Sequence, residues 1–371
     1  MRLAIQASDL DHSRIDGTRV YVRELLKRFG TFSPETDFLL YHKKDFNSEL
    51  APPTEKNYQV KKLPFPVAWM QTRFTWDIFR TRPEKLFLPI QAAPLLLPRG
   101  VEVTATIHDL AFKRYPATFP KKDLFKLNLM LETAVRQADK LIAVSESTKK
   151  DLLEFFPGLS SEKIRVIHHG FDQEFFGVRL SEQELSRGLE KYHQTPGNYL
   201  LYVGALQPRK NLVRFIKAFD RAKQQEKDMK LVLAGEPAWL SETVLEAYEQ
   251  SPHRQDILLT GKVSFEDLRL LYQGARFFAF PSLYEGFGLP LLEAFASGIP
   301  VLTAHNSSLG EVAGDGALYC DAENIEDMTQ KLKFLWNDQS LRNTLVTQGT
   351  KRLSSFSWEK CAQETLEYLL S

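Results

Sequence analysis

Short runs of β-branched, aromatic and aliphatic residues alternate along the chain with longer segments of helical hydrophobic period. Candidate strands at 3–7, 38–41, 58–61, 101–107, 140–144 and 164–168 fill the first half, with amphipathic stretches such as 19–29 and 122–137 between them. The pattern then restarts, with candidate strands at 199–204, 230–234, 256–260, 277–280 and 300–303. Strands alternating with helices build parallel sheets covered on both faces. The pattern therefore predicts an α/β chain of two Rossmann-like doubly wound domains. Periodicity lapses between 171 and 198, where Gly177, Gly188, Pro196 and Gly197 sit among many charges. This places a first domain at 1–175, a linker at 176–198 and a second domain at 199–356. A last helical segment, 357–371, is expected to pack back on the first domain.

Composition narrows the class. A chain of 371 residues with 43% hydrophobic and 26% charged residues is long enough for two ordinary globular cores. Lysine plus arginine (48) nearly balances aspartate plus glutamate (47), so no whole-molecule field would collect nucleic acid, and none is expected as a partner. Cys320 and Cys361 make neither a disulfide framework nor a paired metal-ligand spacing, which suits a reducing cytoplasm. The opening apolar run is broken at Gln6 and ends by Asp9, so it reads as a first strand rather than a leader. The most apolar region, 289–303, is interrupted by Glu293, Gly298 and Pro300, well short of the roughly 18 residues of a membrane span.

In open α/β sheets ligands bind beyond the carboxyl ends of the strands, so the loops just after strands carry the candidate chemistry. After the strand at 199–203 comes Gly204-Ala205-Leu206-Gln207-Pro208-Arg209-Lys210-Asn211, running into a helical pattern. Two cations at a helix N-terminus oppose the macrodipole unless an anion, such as a phosphate, sits with them; the alternative is a pair of solvated surface side chains. After the strand at 277–280 comes Tyr284-Glu285-Gly286-Phe287-Gly288-Leu289-Pro290, with Glu293 about one turn into the next helix. The glycines allow close backbone approach to a ligand, and Pro290 suits a first helical turn. A carboxylate at Glu293 suits ribose hydroxyls; the alternative is that both glutamates only favour the helix dipole. His108 follows the strand at 101–107 and is read either as a site residue or as a histidine bonded at a strand end.

The frame Pro208-Arg209-Lys210-Asn211 followed by Glu285-x7-Glu293 resembles the family-4 retaining glycosyltransferases of GT-B fold, in particular bacterial surface-polysaccharide mannosyltransferases. His108-Asp109-Leu110, Val144-Ser145-Glu146-Ser147-Thr148, His169-Gly170-Phe171-Asp172, Gly261-Lys262-Val263-Ser264 and Phe356-Ser357-Trp358-Glu359 resemble further landmarks in the family's order, so the likeness spans nearly the whole chain. It implies two Rossmann-like domains facing across a cleft, with transfer of a hexose, mannose from GDP-mannose before others, from a nucleotide-diphosphate sugar to a glycan or lipid-linked saccharide acceptor. By the same resemblance Arg209 and Lys210 bind the diphosphate. Glu285 and the amides of Gly286, Phe287, Gly288 and Leu289 contact donor sugar and phosphate. Glu293 holds ribose, Val263 offers its backbone to the base, and His108 faces the reacting sugar. The departing phosphate serves as base on the same face, which gives retention; neither a cofactor nor an essential metal is expected.

One departure stands out. Relatives carry a glycine pair in the loop after the first strand that lets the backbone approach the donor diphosphate; here Gly17 matches one and by the resemblance binds the donor, while Asp16 replaces the other. A carboxylate beside a diphosphate is repulsive, so Asp16 must point away or the loop must sit differently. The stretches 65–76 and 119–126 mix aromatics with lysine and arginine; they suit an acceptor or a peripheral contact at the inner membrane face, or else core packing plus a solvated helix face. Competing functions are a nucleotide-sugar epimerase or phosphorylase on the same fold, and a catalytically silent sugar-nucleotide binder.

Overall fold

The computed structural model describes residues 1–371. Seven parallel strands form the first sheet: β1 (Arg2–Gln6), β2 (Asp37–His42), β3 (Tyr58–Lys62), β4 (Lys85–Leu88), β5 (Glu102–Ile107), β6 (Lys140–Ala143) and β7 (Ile164–Val166), in the order β3-β2-β1-β4-β5-β6-β7. Six more form the second: β8 (Tyr199–Val203), β9 (Lys230–Ala234), β10 (Ile257–Gly261), β11 (Phe277–Phe280), β12 (Val301–Ala304) and β13 (Ala317–Cys320), in the order β10-β9-β8-β11-β12-β13. Both orders reverse direction next to the first strand of the sheet, the doubly wound arrangement that the periodicity predicts. Central strands such as β11 (Phe-Phe-Ala-Phe) and β12 (Val-Leu-Thr-Ala) are buried at every position, as sheets covered on both faces require.

Two strands have no counterpart in the sequence reading. β4 is a four-residue run of Lys-Leu-Phe-Leu between Pro83 and Pro89, and β13 is as short. Each draws its identity from neighbours: β4 is paired with both β1 and β5, and β13 with β12. Tertiary pairing decided these elements where local pattern was too brief.

The chain divides into two compact units, Met1–Leu110 with Lys122–Gly170 and Ser357–Ser371, and Ala111–Lys121 with Phe171–Phe356. These boundaries differ from the expected ones. The stretch read as a linker at 176–198 is part of the second unit and largely helical. Its helix Glu182–Leu189 carries a capping box of Ser181 and Glu184, Leu189 is fully buried, and Gly188 lies so close to Leu270 that a Cβ would stand 2.7 Å from its Cδ1. Among the residues that suggested a linker, Gly188 serves close packing and Glu184 serves helix capping. Residues 111–121, expected in the first domain, also join the second unit, where Trp239 Nε1 donates to the Thr118 carbonyl at 2.9 Å and the Phe119 and Trp239 rings stack 5.6 Å apart.

In the first unit the helix Gly17–Phe32 buries Tyr21, Val22, Leu25, Leu26 and Phe29 along one face. The C-terminal helix Trp358–Leu370 buries Trp358, Cys361, Ala362, Leu366 and Leu369 in the same unit, and Arg28 reaches Glu359 at 2.7 Å. Gly170 makes room for this helix, since a Cβ there would stand 2.1 Å from the Trp358 nitrogen. The aromatic stretch at 65–76 divides: Trp69 and Phe74 are core, whereas Phe65, Val67 and Trp76 are exposed. Phe125 is exposed as well, beside exposed Lys122 and Lys126. No helix is long and apolar enough to cross a membrane.

Candidate functional site

The loops after β8 and β11 flank the point where the strand order of the second sheet reverses, the place where doubly wound sheets open a crevice. They are bonded to each other along their length. Pro208–Lys210 makes a single 3-10 turn, and Asn211 follows in the left-handed region at φ 64°. From there its side-chain amide donates to the carbonyls of Pro281 (3.1 Å) and Ala322 (2.6 Å), while the Leu283 N–H donates to the Arg209 carbonyl at 3.0 Å. An asparagine tolerates this conformation because its side chain takes over bonds that the turning backbone gives up.

This turn aims both cations at one carboxylate. Arg209 Nη1 donates to Glu285 Oε2 at 2.9 Å and to the Tyr284 carbonyl, and Lys210 Nζ donates to Glu285 Oε1 at 2.6 Å. All three side chains are buried. Burial by itself would push the Glu285 carboxyl up, but the charges of Arg209 and Lys210 outweigh it and hold the group down at about 2. The anion that the cation pair called for in the sequence is thus supplied in part by the protein, and the trio is held in place before any ligand arrives.

A third loop, after β12, supports the second. Ser307 Oγ accepts the Glu285 N–H at 2.9 Å, and the buried Ser308 hydroxyl bonds the carbonyls of Glu285 (2.9 Å) and Phe287 (2.6 Å). Ser307 sits at φ 46°, a conformation costly for serine and held by its surroundings. Gly286 and Gly288 are buried, and Gly288, at φ 117°, turns the chain into the helix Leu289–Ala296, whose first amides follow directly. A side chain at Gly288 would be strained by that angle and would meet Leu309 Cδ2 at 3.2 Å.

Glu293 lies in that helix, half-buried, and accepts the Tyr272 hydroxyl at 2.9 Å through Oε2. Burial raises its carboxyl to about 7, Asp172 adds to the rise and the Tyr272 hydrogen bond works against it. Two glutamates eight residues apart therefore have opposite character, one fixed as an anion and one poised near neutrality. Val263 occupies the turn between β10 and the helix Phe265–Gly274, at the same edge of the sheet.

The remaining sequence candidates, Gly17 and His108, belong to the first unit. Gly17 opens its first helix, and Asp16 is the cap: its Oδ1 accepts the Arg19 N–H at 3.3 Å and its Oδ2 pairs with the Arg19 guanidinium. The question raised by this carboxylate is answered by helix capping. His108 follows β5, its Nε2 bonded to the Pro89 carbonyl at 2.8 Å and its N–H donating to Gln91 Oε1 at 3.1 Å. Burial lowers its pKa, so the ring is neutral, and a carbonyl partner requires the proton on Nε2, leaving Nδ1 as an acceptor. Tyr21 meets the ring edge-on at 5.1 Å.

Residues 15–175 match the profile of Glycosyltransferase Family 4, and residues 188–352 match that of Glycosyl transferases group 1, together most of the chain. The chain belongs to the family-4 glycosyltransferases. This glycosyltransferase is 29% identical over 272 residues to the O-antigen chain mannosyltransferase B of Escherichia coli, covering 73% of this chain and 71% of that protein. It is 27% identical over 246 residues to the serotype-specific mannosyltransferase WbdA of Escherichia coli, where the match spans 66% of this chain and 30% of the relative. Among solved structures it resembles Anabaena HepE in complex with UDP and glucose, with a TM-score of 0.77 at 16% identity over 100% of this chain and 99% of that one. It also resembles WaaG, a glycosyltransferase involved in lipopolysaccharide biosynthesis, with a TM-score of 0.76 at 13% identity over 99% of each chain. The fold is therefore GT-B.

Tyr272, Ser307 and Ser308 are site residues that the sequence reading did not single out. A tyrosine at helical spacing and a pair of loop serines have no chemical signature of their own. Ser307's backbone angle is the signal that marks it, and only the folded chain carries that angle.

Proposed function

We propose that this glycosyltransferase moves a hexose, mannose from GDP-mannose before other donors, onto a glycan or lipid-linked saccharide in polysaccharide biosynthesis, with retention at the anomeric carbon. The observation that carries the reading is the buried trio of Arg209, Lys210 and Glu285 beside the amides of residues 286–289. As the donor's glycosidic bond breaks, negative charge grows on the leaving diphosphate, and cations already fixed in place stabilise it without reorganising. Glu293 receives the ribose hydroxyls, and Val263 offers its backbone to the base. From the first unit, Gly17 lets its backbone approach the donor diphosphate, and His108, neutral and held by Pro89, faces the reacting sugar. The acceptor hydroxyl gives its proton to the departing phosphate on the same face, which yields retention with no cofactor and no essential metal. The mannosyl choice follows the O-antigen and serotype-specific mannosyltransferases among the relatives. Exposed Phe65, Val67, Trp76 and Phe125, with lysines close in sequence, suit contact with an anionic membrane surface where a lipid-linked acceptor would lie.

The test is thermal stabilisation by GDP, UDP, ADP, dTDP and CMP, with and without magnesium, followed by transfer assays with the matching sugar nucleotides. One nucleoside diphosphate should raise the melting temperature, because a ligand that binds only the folded state stabilises it. Lys210→Ala should then slow transfer by about 10²–10³-fold. Stabilisation without transfer would instead identify a silent binder, and no stabilisation by any nucleotide would defeat the donor-site reading.

A further inference from the structure

Glu293 is held by one group. Tyr272, on the helix Phe265–Gly274, is fully buried, its ring fixed 5.3 Å from that of Phe278 and edge-on to Phe176 at 5.8 Å. Its hydroxyl donates to Glu293 Oε2 at 2.9 Å, with the Pro290 carbonyl a longer second acceptor at 3.4 Å. No protein group bonds Glu293 Oε1. One oxygen of the carboxylate is thus anchored from inside the unit and the other is left to a ligand.

The charged surroundings favour the neutral acid. Asp172, just before the helix Gln173–Gly177, acts on Glu293 against ionisation. The helix Leu309–Ala313, whose one charged residue is Glu311, and the helix Gln339–Arg352 also pack on the Glu293 helix; the arginines of the latter are turned to carbonyls elsewhere, Arg342 to Leu335 and Trp336 and Arg352 to Glu311 and Val312. No cation is bonded to Glu293, in contrast to Glu285, which has two. The Tyr272 hydroxyl is the group opposing burial.

We propose that Tyr272 is a positioning residue for the donor nucleotide: its hydroxyl favours the ionised form of Glu293 and presents Oε1 to the ribose, so that a sugar nucleotide binds the carboxylate and its binding to the neutral acid releases one proton. This rests on the donor-site reading above. A carboxylate accepts from both ribose hydroxyls, whereas a carboxylic acid must place its own proton against one of them. Removing the phenol hydroxyl leaves Glu293 Oε2 enclosed without a donor, which favours the neutral form further.

The experiment is calorimetric titration of the whole chain with the sugar nucleotide that binds best among GDP-mannose, UDP-glucose and ADP-glucose, between about pH 5.5 and 8.5. Both phosphates of these probes are esterified and do not titrate in that range, so a pH dependence reports on the protein. In the parent, affinity should fall as pH drops below about 7, and in Tyr272→Phe the fall should move up by about one pH unit, weakening binding roughly 5- to 10-fold at pH 7 and much less at pH 8.5. Glu293→Gln should bind weakly at every pH, and the 2′,3′-dideoxy form of the probe should show no pH dependence. The same midpoint in Tyr272→Phe and parent would reduce Tyr272 to packing. Should Tyr272→Phe fail to fold, a pH dependence that persists with the dideoxy probe on the parent would overturn the proposal independently. A flat profile with tight binding defeats only this inference, while failure of every sugar nucleotide to bind defeats the donor site as well.

Discussion

Glu285 and Glu293 are identical side chains at the same edge of one sheet, and their partners make them different acids. Glu285, between Arg209 and Lys210, is an anion at every physiological pH; Glu293, raised by burial and by nearby Asp172 against the pull of the Tyr272 hydroxyl, is protonated in the folded chain below about 7. The second has a measurable effect on stability without any ligand. Between its ordinary value of 4.5 and about 7 the folded chain holds a proton that the unfolded chain has lost, so stability declines as pH rises through that window. Glu293→Gln removes the ionisation, and should therefore stabilise the ligand-free protein more at pH 8 than at pH 5, by something of order 1–2 kcal/mol given its partial exposure, read by chemical denaturation at the two pH values. An equal change at both pH values would contradict this origin. Sequence spacing singled out both glutamates but said nothing of this contrast, because the burial that raises Glu293 and the Tyr272 hydroxyl that opposes it, 21 residues away, both come from tertiary packing. The trio at Arg209, Lys210 and Glu285 was legible as residue types after strands, while the bonds among them depend on a loop closure that no local pattern encodes.

At the scale of elements, the departure from the glycine pair at 16–17 is where local chemistry explains most. Asp16 satisfies an N–H at the start of the helix Gly17–Phe32, which a second glycine would leave to solvent. Asp16→Ala should lower stability by about 1 kcal/mol, whereas Asp16→Gly should cost only a few tenths, both read by chemical denaturation. Similar losses in the two variants would mean that the Arg19 pair, rather than the cap, carries the effect. Long amphipathic helices and apolar strands were readable because their periods repeat over many residues. β4 and β13, four residues each, and the capped helix within 176–198 were not, since each is decided by what it packs against.

For the whole molecule, the helix Trp358–Leu370 is the element whose removal reaches furthest. It buries Trp358, Cys361, Ala362, Leu366 and Leu369 in the first unit, against the backbone at Gly170. Deleting 357–371 should therefore leave the first-unit segments sensitive to limited proteolysis while 171–356 resists, and equal resistance of both would show the helix to be dispensable. The return of this segment to the first domain was an expectation from sequence order alone; the crossing of 111–121 into the second unit had no sequence signal. The polypeptide passes between the units after Leu110, Lys121, Gly170 and Phe356. Synthesis consequently delivers the first unit in an awkward order: its opening strands leave the ribosome earliest and its closing helix latest. The apolar face of Gly17–Phe32 must wait, incompletely covered, while the entire second unit is translated, and that interval is when a nascent chain of this design most needs a chaperone.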